Sequence, residues 1–245
     1  AAGSQAFRTW SRTAPAERAR ILWRIADLLE QHGETLARLE ALDVGMPMDL
    51  ARELTAPRAA DTFRYYAGWC GKIEGNTTQT SLPDVHAYTR REPYGVCAQI
   101  VPWNAPLKMA AWKIAPCLAT GNVSVLKPAE DTNLTALFLS RIMAEAGVPP
   151  GVVNIVQGDG PEVVGPLMAS GEIDVLAFIG TSRVANILKK QHPRPHRLRC
   201  ITGLESKNPA VILPSADLDV AVKECVSGAL SFNGQRCTAL KLLLV

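Results

Sequence analysis

The sequence lacks several features that would assign it to a specialised class of protein. None of its six cysteines forms a CxxC pair, and their irregular spacing indicates neither a zinc ribbon nor a disulfide framework. It has no run of about 18 apolar residues, so no membrane-spanning helix and no membrane partner are expected. Its first residues have neither the basic nor the apolar region of a signal peptide. We therefore expect a protein of a reducing compartment, the cytoplasm.

An excess of charge of either sign is also missing. The 26 basic and 23 acidic side chains leave a net charge of +3, which is too even to indicate a nucleic-acid partner. The one basic stretch, residues 189–199, is interpreted as a solvated loop, although a nucleic acid or a cofactor phosphate would also suit it. Pro193 and Pro195 prevent His192 and His196 from sharing a helix face as zinc ligands would, so we assign no metal.

What is present is a globular composition with a change of hydrophobic period near residue 94. Hydrophobic residues make up 47% of the chain, which excludes an intrinsically disordered protein. Before residue 94, helical spacing covers 15–29, 36–42 and 48–73, and a linker or hairpin follows at 75–83. We expect the aromatic residues of 65–69 to belong to the core.

After residue 94, short apolar segments alternate with helical patterns. Strands are predicted at 96–101, 123–126, 152–156, 175–179, 210–213 and 240–245, and helices at 107–118, 132–146, 162–169 and 217–230. The pattern predicts an α/β fold: a Rossmann-like parallel sheet with helices on both faces, preceded by an N-terminal helical segment. The predicted domains are helices and a hairpin at 1–93, a dinucleotide-binding core at 94–203, and the start of a catalytic domain at 204–245.

Polar residues follow the predicted strands at the sheet edge where α/β proteins bind ligands. Lys127 and Glu130 end one strand and could hold ribose hydroxyls, although a proline-initiated helix explains the same residues. Gly158 opens a glycine-containing loop before a helix, which suits a phosphate. Since Val163 replaces the third glycine of the GxGxxG pattern, a simple strand-to-helix turn is the alternative.

Cys237 is a candidate nucleophile because it follows a glycine-containing turn and adjoins Arg236. The alternative is a buried cysteine that acts as a small hydrophobic side chain. A thiolate that attacks a carbonyl needs a donor for the oxyanion and a base for the water that follows. The amide of Asn104 and the carboxylate of Glu205 are candidates for these two tasks.

Taken together, these segments resemble the aldehyde dehydrogenase superfamily over essentially the whole chain. The asparagine, the lysine, the glycine loop and the cysteine occur in the family's order. The segments that carry the resemblance are RYYAGWCGKIEG (64–75), PWNAP (102–106), LKPAE (126–130), GVVNIVQGDG (151–160), FIGT (178–181) and FNGQRCTA (232–239).

The resemblance implies a role for each matching residue. Cys237 would form a thiohemiacetal with a small-molecule aldehyde, Asn104 and the Cys237 backbone amide would hold the oxyanion, and hydride transfer would leave a thioester that water hydrolyses. The implied cofactor is NAD or NADP, with NAD favoured because a carboxylate at Glu130 suits a free 2′-hydroxyl. The implied cofactor-binding residues are Val101, Pro102, Trp103, Lys127, Glu130, Gly160, Gly165 and Thr181.

Two departures from the family pattern bear on the chemistry. The usual spacing places Gly203 where the family has its general base, so either Glu205 takes that role or the base is missing. The segment SFNGQRCTALK resembles the non-phosphorylating glyceraldehyde-3-phosphate dehydrogenase branch, in which the arginine before the cysteine binds the substrate phosphate. Arg236 fits that branch, whereas Ala105 replaces its usual tyrosine.

The length sets a last expectation. Family members are longer than 245 residues, so we expect a truncated portion with an incomplete catalytic domain, and a homo-oligomer for the full-length form. The alternative is that the chain is not an enzyme but a non-catalytic portion that binds nucleotide or packs in an assembly.

Overall fold

A five-stranded parallel sheet forms the middle of the molecule. The structure, a computed structural model, describes residues 1–245. The nine strands of the chain are β1 (Thr77–Thr78), β2 (Ala87–Tyr88), β3 (Val96–Ile100), β4 (Val123–Lys127), β5 (Val153–Ile155), β6 (Val175–Ile179), β7 (Arg199–Gly203), β8 (Asn208–Val211) and β9 (Leu240–Leu244). The sheet order is β5–β4–β3–β6–β7, and every neighbouring pair is parallel.

Helices cover both faces of this sheet, which confirms the predicted α/β architecture. They are α1 (Ala2–Trp10), α2 (Pro15–Gln31), α3 (Gly33–Val44), α4 (Met48–Leu54), α5 (Ala56–Ala67), α6 (Pro106–Ala119), α7 (Leu134–Ala146), α8 (Gly160–Ala169), α9 (Ser182–Gln191) and α10 (Leu218–Leu230). None of these helices combines the length and the apolar character that spanning a bilayer requires.

The alternation of side chains along the strands divides the interior into two cores. On β4, Leu126 packs into a large cluster with Ile114 of α6 and Leu139 of α7. Its neighbour Val125 points the other way, into a smaller cluster with Val164 of α8 and Leu188 of α9. Successive side chains of a strand point to opposite faces, so a strand buried on both faces is apolar throughout.

The sheet reverses its direction of growth between β3 and β6. From β3 the chain adds β4 and β5 on one side, and then crosses to add β6 and β7 on the other. A crevice opens outside the carboxyl ends of the strands at such a switch point, and it is where α/β sheets bind ligands. Asn104 follows β3 and Thr181 follows β6, so both lie at this crevice.

The last part of the chain forms a separate, more exposed layer. Strands β8 and β9 pair in parallel beside α10, and a short 3-10 helix occupies Ser231–Gly234. No residue of α10 is fully buried. The hairpin expected after the N-terminal helices is confirmed, because β1 pairs antiparallel with β2.

Three predictions about local structure were wrong. The segment 48–73 is two helices, because the chain bends at Thr55 and restarts at α5, where Pro57 has no N–H to continue the hydrogen-bond ladder. The basic stretch is not a loop throughout, since Lys189 and Lys190 form the last turn of α9 and Arg199 begins β7. Cations at the end of a helix are favoured by its dipole.

The third wrong prediction concerns the aromatic residues of 65–69. Tyr65 is 61% exposed and Trp69 is 46% exposed, so neither belongs to the core. Tyr66 packs against the core from a partly buried position. Tyr65 lies off the buried face of α5, and Trp69 comes after the helix has ended. The residues that pack into the core from α5 are Ala56, Ala59, Ala60, Phe63 and Ala67.

Candidate active site

A polar groove of about 480 Å³ lies beyond the carboxyl end of β4. It is lined by Pro128, Ala129, Glu130, Asn133, Gln157, Gly158 and Asp159. Lys127, with a side chain only 5% exposed, forms an ion pair with the half-exposed Glu130. The lysine and the carboxylate expected to act together are therefore in contact at the edge of this groove.

The Glu130 carboxyl is held in its ionised form. Burial acts to raise its pKa, but hydrogen bonds, chiefly the one from the Lys127 ammonium, outweigh burial and leave the pKa below its ordinary value. Hydrogen bonding from the Gly160 backbone acts in the same direction. An ionised acceptor suits hydroxyl donors and repels phosphate.

The glycine loop turns sharply into α8 beside Glu130. Gly158 has φ +131°, and a Cβ placed on it would lie 2.8 Å from Cγ2 of Val163, so a larger residue would be both strained and crowded. Asp159 caps α8, its Oδ1 accepting a hydrogen bond of 3.4 Å from the Glu162 N–H. The N–H groups of the first turn of α8 are therefore used within the protein: that of Gly160 acts on Glu130, Pro161 has none, and those of Glu162 and Val163 donate to Asp159. This turn leaves no free donor for the phosphate that the sequence pattern predicted there.

The other predicted cofactor residues lie at the same sheet edge or on its helices. Val101 is buried directly after β3, and Trp103 is 47% exposed two residues on; Pro102 between them is half-buried. Thr181 caps α9, accepting a 3.3 Å hydrogen bond from the Val184 N–H.

The two glycines assigned to the loop differ in position. Gly160 is the first residue of α8, and a Cβ on it would lie 3.6 Å from the Glu130 carboxylate. Gly165 lies inside α8 rather than on the loop, facing the side chain of Gln191.

Asn104 is joined to the cysteine loop across 131 positions of sequence. Its Nδ2 donates a 2.8 Å hydrogen bond to the carbonyl oxygen of Gln235, two residues before Cys237. The fold thus brings the predicted oxyanion donor and the loop of the predicted nucleophile to one place.

An unusual turn presents Cys237. Phe232, Asn233 and Gly234 all have positive φ, at 54°, 53° and 69°. The left-handed region is unfavourable for a bulky residue such as Phe232, and such strain is concentrated at functional sites. Cys237 is exposed.

The carbonyl oxygen of Cys237 is held by side chains of the segment that follows β7. It accepts hydrogen bonds of 2.6 Å from both Ser206 Oγ and Asn208 Nδ2. The segment after β7 therefore fixes the cysteine loop from one side while Asn104 holds it from the sheet edge.

Glu205 lies beyond the carboxyl end of β7, where it binds the start of α9. Its two oxygens accept hydrogen bonds of 2.8 Å from the Ser182 N–H and 2.7 Å from the Ser182 hydroxyl. The Ser182 hydroxyl is the main cause that lowers the pKa of the Glu205 carboxyl. The neighbouring Ser206, not Glu205, contacts the cysteine loop, and the role of Glu205 as a base stays a prediction.

The Arg236 side chain turns back toward α10. Its guanidinium donates to the Ser231 hydroxyl and, at 3.5 Å, to the Gly228 carbonyl. Its Nε is buried without a partner. A contact between the Arg236 guanidinium and a substrate phosphate stays a prediction.

No group of three or more His, Cys, Asp or Glu side chains is placed to hold a metal ion. His192 is buried, with its Nε2 2.9 Å from the Ile173 carbonyl and its Nδ1 accepting from the Arg194 N–H, so it joins α9 to the chain before β6.

Three groove residues escaped sequence reasoning as site members: Asn133, Gln157 and Asp159. The signal was available for two of them, because Gln157 and Asp159 flank the glycine that the strand-to-helix turn requires. Asn133 comes to the groove only because α7 begins there.

Comparison with known proteins assigns the fold to a family. The family model described as "Aldehyde dehydrogenase family" matches residues 1–245. Human retinaldehyde dehydrogenase 3 is 45% identical over 237 residues, which cover 96% of this chain and 46% of the human protein.

Solved structures show the same relationship. HpcC from Thermus thermophilus superposes with a TM-score of 0.94 at 41% identity, covering 99% of this chain and 47% of HpcC. An aldehyde dehydrogenase from Bacillus cereus in complex with NAD+ gives a TM-score of 0.92 at 41% identity, covering 97% of this chain and 48% of that one. The chain spans about half the length of the curated relatives it matches.

Proposed function

Because the chain belongs to the aldehyde dehydrogenase family, we propose that it provides the nucleotide site and the nucleophile of an enzyme that oxidises an aldehyde to a carboxylic acid with NAD+ or NADP+. The observation that carries this proposal is the hydrogen bond from Asn104 to the Gln235 carbonyl, which sets an amide donor beside the Cys237 loop. In a nucleotide-binding portion without catalysis, the same contact would only hold the loop in place.

The groove residues fit an adenosine ribose. Glu130 is ionised and half-exposed, so it can accept hydrogen bonds from two vicinal hydroxyls, while Lys127 can donate to them. Because a 2′-phosphate would meet the Glu130 carboxylate, NAD+ is the favoured cofactor.

The first step is attack of the Cys237 thiolate on the aldehyde carbon. The carbonyl oxygen becomes an oxyanion, which the Asn104 amide and the Cys237 backbone N–H stabilise. A primary amide has two N–H donors, and the Gln235 carbonyl uses one of those on Asn104. The second is free for the oxyanion, so the amide can hold the loop and the substrate together.

When bound, NAD+ supplies the acceptor for the hydride that leaves the thiohemiacetal carbon. The remaining thioester on Cys237 is then hydrolysed by water, which releases the acid and restores the thiol. Glu205 is the candidate for activating that water, once it is released from Ser182. It follows β7, one strand away from the switch point.

The test is NADH formation from a panel of simple aldehydes, followed with wild-type protein and with Cys237→Ala. Cys225→Ala is the matched control, because Cys225 lies on α10 and has no part in the proposed chemistry. We expect turnover that Cys237→Ala abolishes and Cys225→Ala preserves. Nucleotide binding without any aldehyde-dependent burst or turnover would contradict the proposal and favour the non-catalytic alternative.

A further inference from the structure

A second groove, of about 660 Å³, lies between α5 and α6. The residues that line it include Arg58, Asp61, Tyr65, Lys108 and Trp112. The exposed aromatic rings of Tyr65 and Trp112 form its apolar wall. None of these residues has a part in the proposed chemistry.

Two cations and one anion line this groove. Lys108 Nζ lies 4.8 Å from the centre of the Trp112 ring, a cation–π contact that keeps the ammonium against the wall. Neither Lys108 nor Arg58 has a carboxylate within 4.0 Å, although other arginines of the helical region, such as Arg52 and Arg64, are paired. The groove therefore has a net positive charge that no group of the protein neutralises.

The groove begins next to the reacting centre. Asn104 precedes α6, which starts at Pro106, and Lys108 and Trp112 lie one turn apart on that helix. From Pro106 to Lys108 the helix rises only about 3 Å, and Asn104 lies two residues before the start of the helix. A carbonyl held at Asn104 would thus have the Lys108 ammonium within reach of a short chain.

We propose that Lys108 and Arg58 select an aldehyde whose far end carries an anion, a short-chain semialdehyde with a terminal carboxylate. This inference rests on the proposed function, since it takes the carbonyl to be at Asn104. The aromatic wall packs against the methylene chain, and the two cations bind the carboxylate. Loss of one such charge-assisted contact reduces the preference for the charged substrate about 10- to 100-fold.

The experiment compares kcat/KM for succinic semialdehyde with that for butanal, which has the same chain length and no charge. We expect wild-type protein to favour the semialdehyde, and Lys108→Met and Arg58→Met each to reduce the ratio about tenfold or more, mainly through KM. Asp61→Asn should raise the ratio, because it removes the one anion of the groove. Added salt should lower the ratio of the two kcat/KM values in the wild-type protein.

Lys72→Met is the matched control, because Lys72 is exposed and lies outside the groove. Its ratio should equal that of the wild type. Glyceraldehyde 3-phosphate, compared with glyceraldehyde, shows whether a phosphate is accepted in place of a carboxylate; a phosphate preference that depends on Arg236 and not on Lys108 would overturn the proposal.

Failure of this inference can be distinguished from failure of the proposed function. Turnover of butanal and succinic semialdehyde with equal kcat/KM would overturn the anion preference and leave the dehydrogenase activity standing. Absence of turnover with every aldehyde would contradict the dehydrogenase activity alone. The anion site of the groove is measured without catalysis by calorimetry, in which wild-type protein should bind succinate and Lys108→Met should not. Absence of succinate binding to wild-type protein would overturn the groove assignment.

Discussion

Asn104 holds the Gln235 carbonyl at 2.8 Å, and so the first loop of the sheet is joined directly to the loop of the candidate nucleophile. One end of this contact follows β3, and the other belongs to a segment with three consecutive positive φ angles. The contact fixes a strained turn in place, which is the kind of support that preorganised catalytic groups need.

Replacement of this amide tests its role at the oxyanion. We expect Asn104→Ala to lower kcat about 10²- to 10³-fold, the usual effect of losing one oxyanion donor. NAD+ affinity, measured by calorimetry, should change little because the ribose groove lies at the end of β4. Asn76→Ala, on the exposed hairpin, is the control. Equal kcat in Asn104→Ala and wild type would remove Asn104 from the chemistry.

Glu205 and Ser182 allow a test of the base assignment. Loss of the Ser182 hydroxyl removes the main cause of the lowered Glu205 pKa, so Ser182→Ala should shift the acid limb of the kcat–pH profile to higher pH. Glu205→Gln should retain the NADH burst but lose most steady-state turnover. A steady-state turnover of Glu205→Gln equal to that of the wild type would show that Glu205 is not the base.

Glu130 is expected to set the choice between NAD+ and NADP+. Glu130→Gln removes the charge that opposes a 2′-phosphate, so we expect kcat/KM for NADP+, relative to NAD+, to rise about tenfold, the effect of about 1.4 kcal/mol. Glu162→Gln is a matched control, because Glu162 is an exposed carboxylate on the neighbouring α8 that does not line the groove. An unchanged ratio in Glu130→Gln would place the ribose elsewhere.

Buried Glu40 predicts a fall in stability as pH rises. Burial, together with the nearby charge of Asp43, raises the pKa of the Glu40 carboxyl from 4.5 to about 7. Between these two values the carboxyl is protonated in the folded protein and ionised in the unfolded chain, so the unfolded state binds fewer protons. The folded state therefore loses stability from pH 4.5 to 7, by about 1.4 kcal/mol per unit of pKa shift.

The check is urea unfolding of wild type and Glu40→Gln at several pH values in this range. Glutamine has nearly the same shape and no charge, so the variant should show a smaller fall in the free energy of unfolding. Glu53→Gln, at an exposed position of α4, should follow the wild type. Parallel pH profiles for Glu40→Gln and wild type would contradict the prediction.

Gly158 is expected to be irreplaceable. Gly158→Ala would place a Cβ 2.8 Å from Val163 at φ +131°, so we expect a loss of about 1–3 kcal/mol in unfolding free energy and weaker NAD+ binding. Gly71→Ala is the control, because nothing lies within 4 Å of a Cβ at that position. Equal melting temperatures and NAD+ affinities for Gly158→Ala and wild type would show that the turn tolerates a side chain.

Sequence reasoning succeeded where a local pattern decides the structure. The strands β3, β4 and β6 could be recognised from their apolar runs, because strands buried on both faces do not alternate apolar with polar residues. It failed for β7, whose sequence Arg199–Gly203 alternates in exposure and mixes charged, polar and apolar residues. Only pairing with β6 makes that segment a strand.

The sequence by itself determined the strand–helix alternation, the residues at the strand ends and the family. Each of these depends on short stretches of sequence: on the period of the hydrophobic residues within a segment and on the order of the motifs along the chain. The tertiary structure alone decided which of these residues meet: Asn104 with the Cys237 loop, Glu205 with Ser182, and Lys108 with Arg58 in one groove. The physical reason is that such contacts depend on strand order and helix packing, which bring together side chains far apart in the chain.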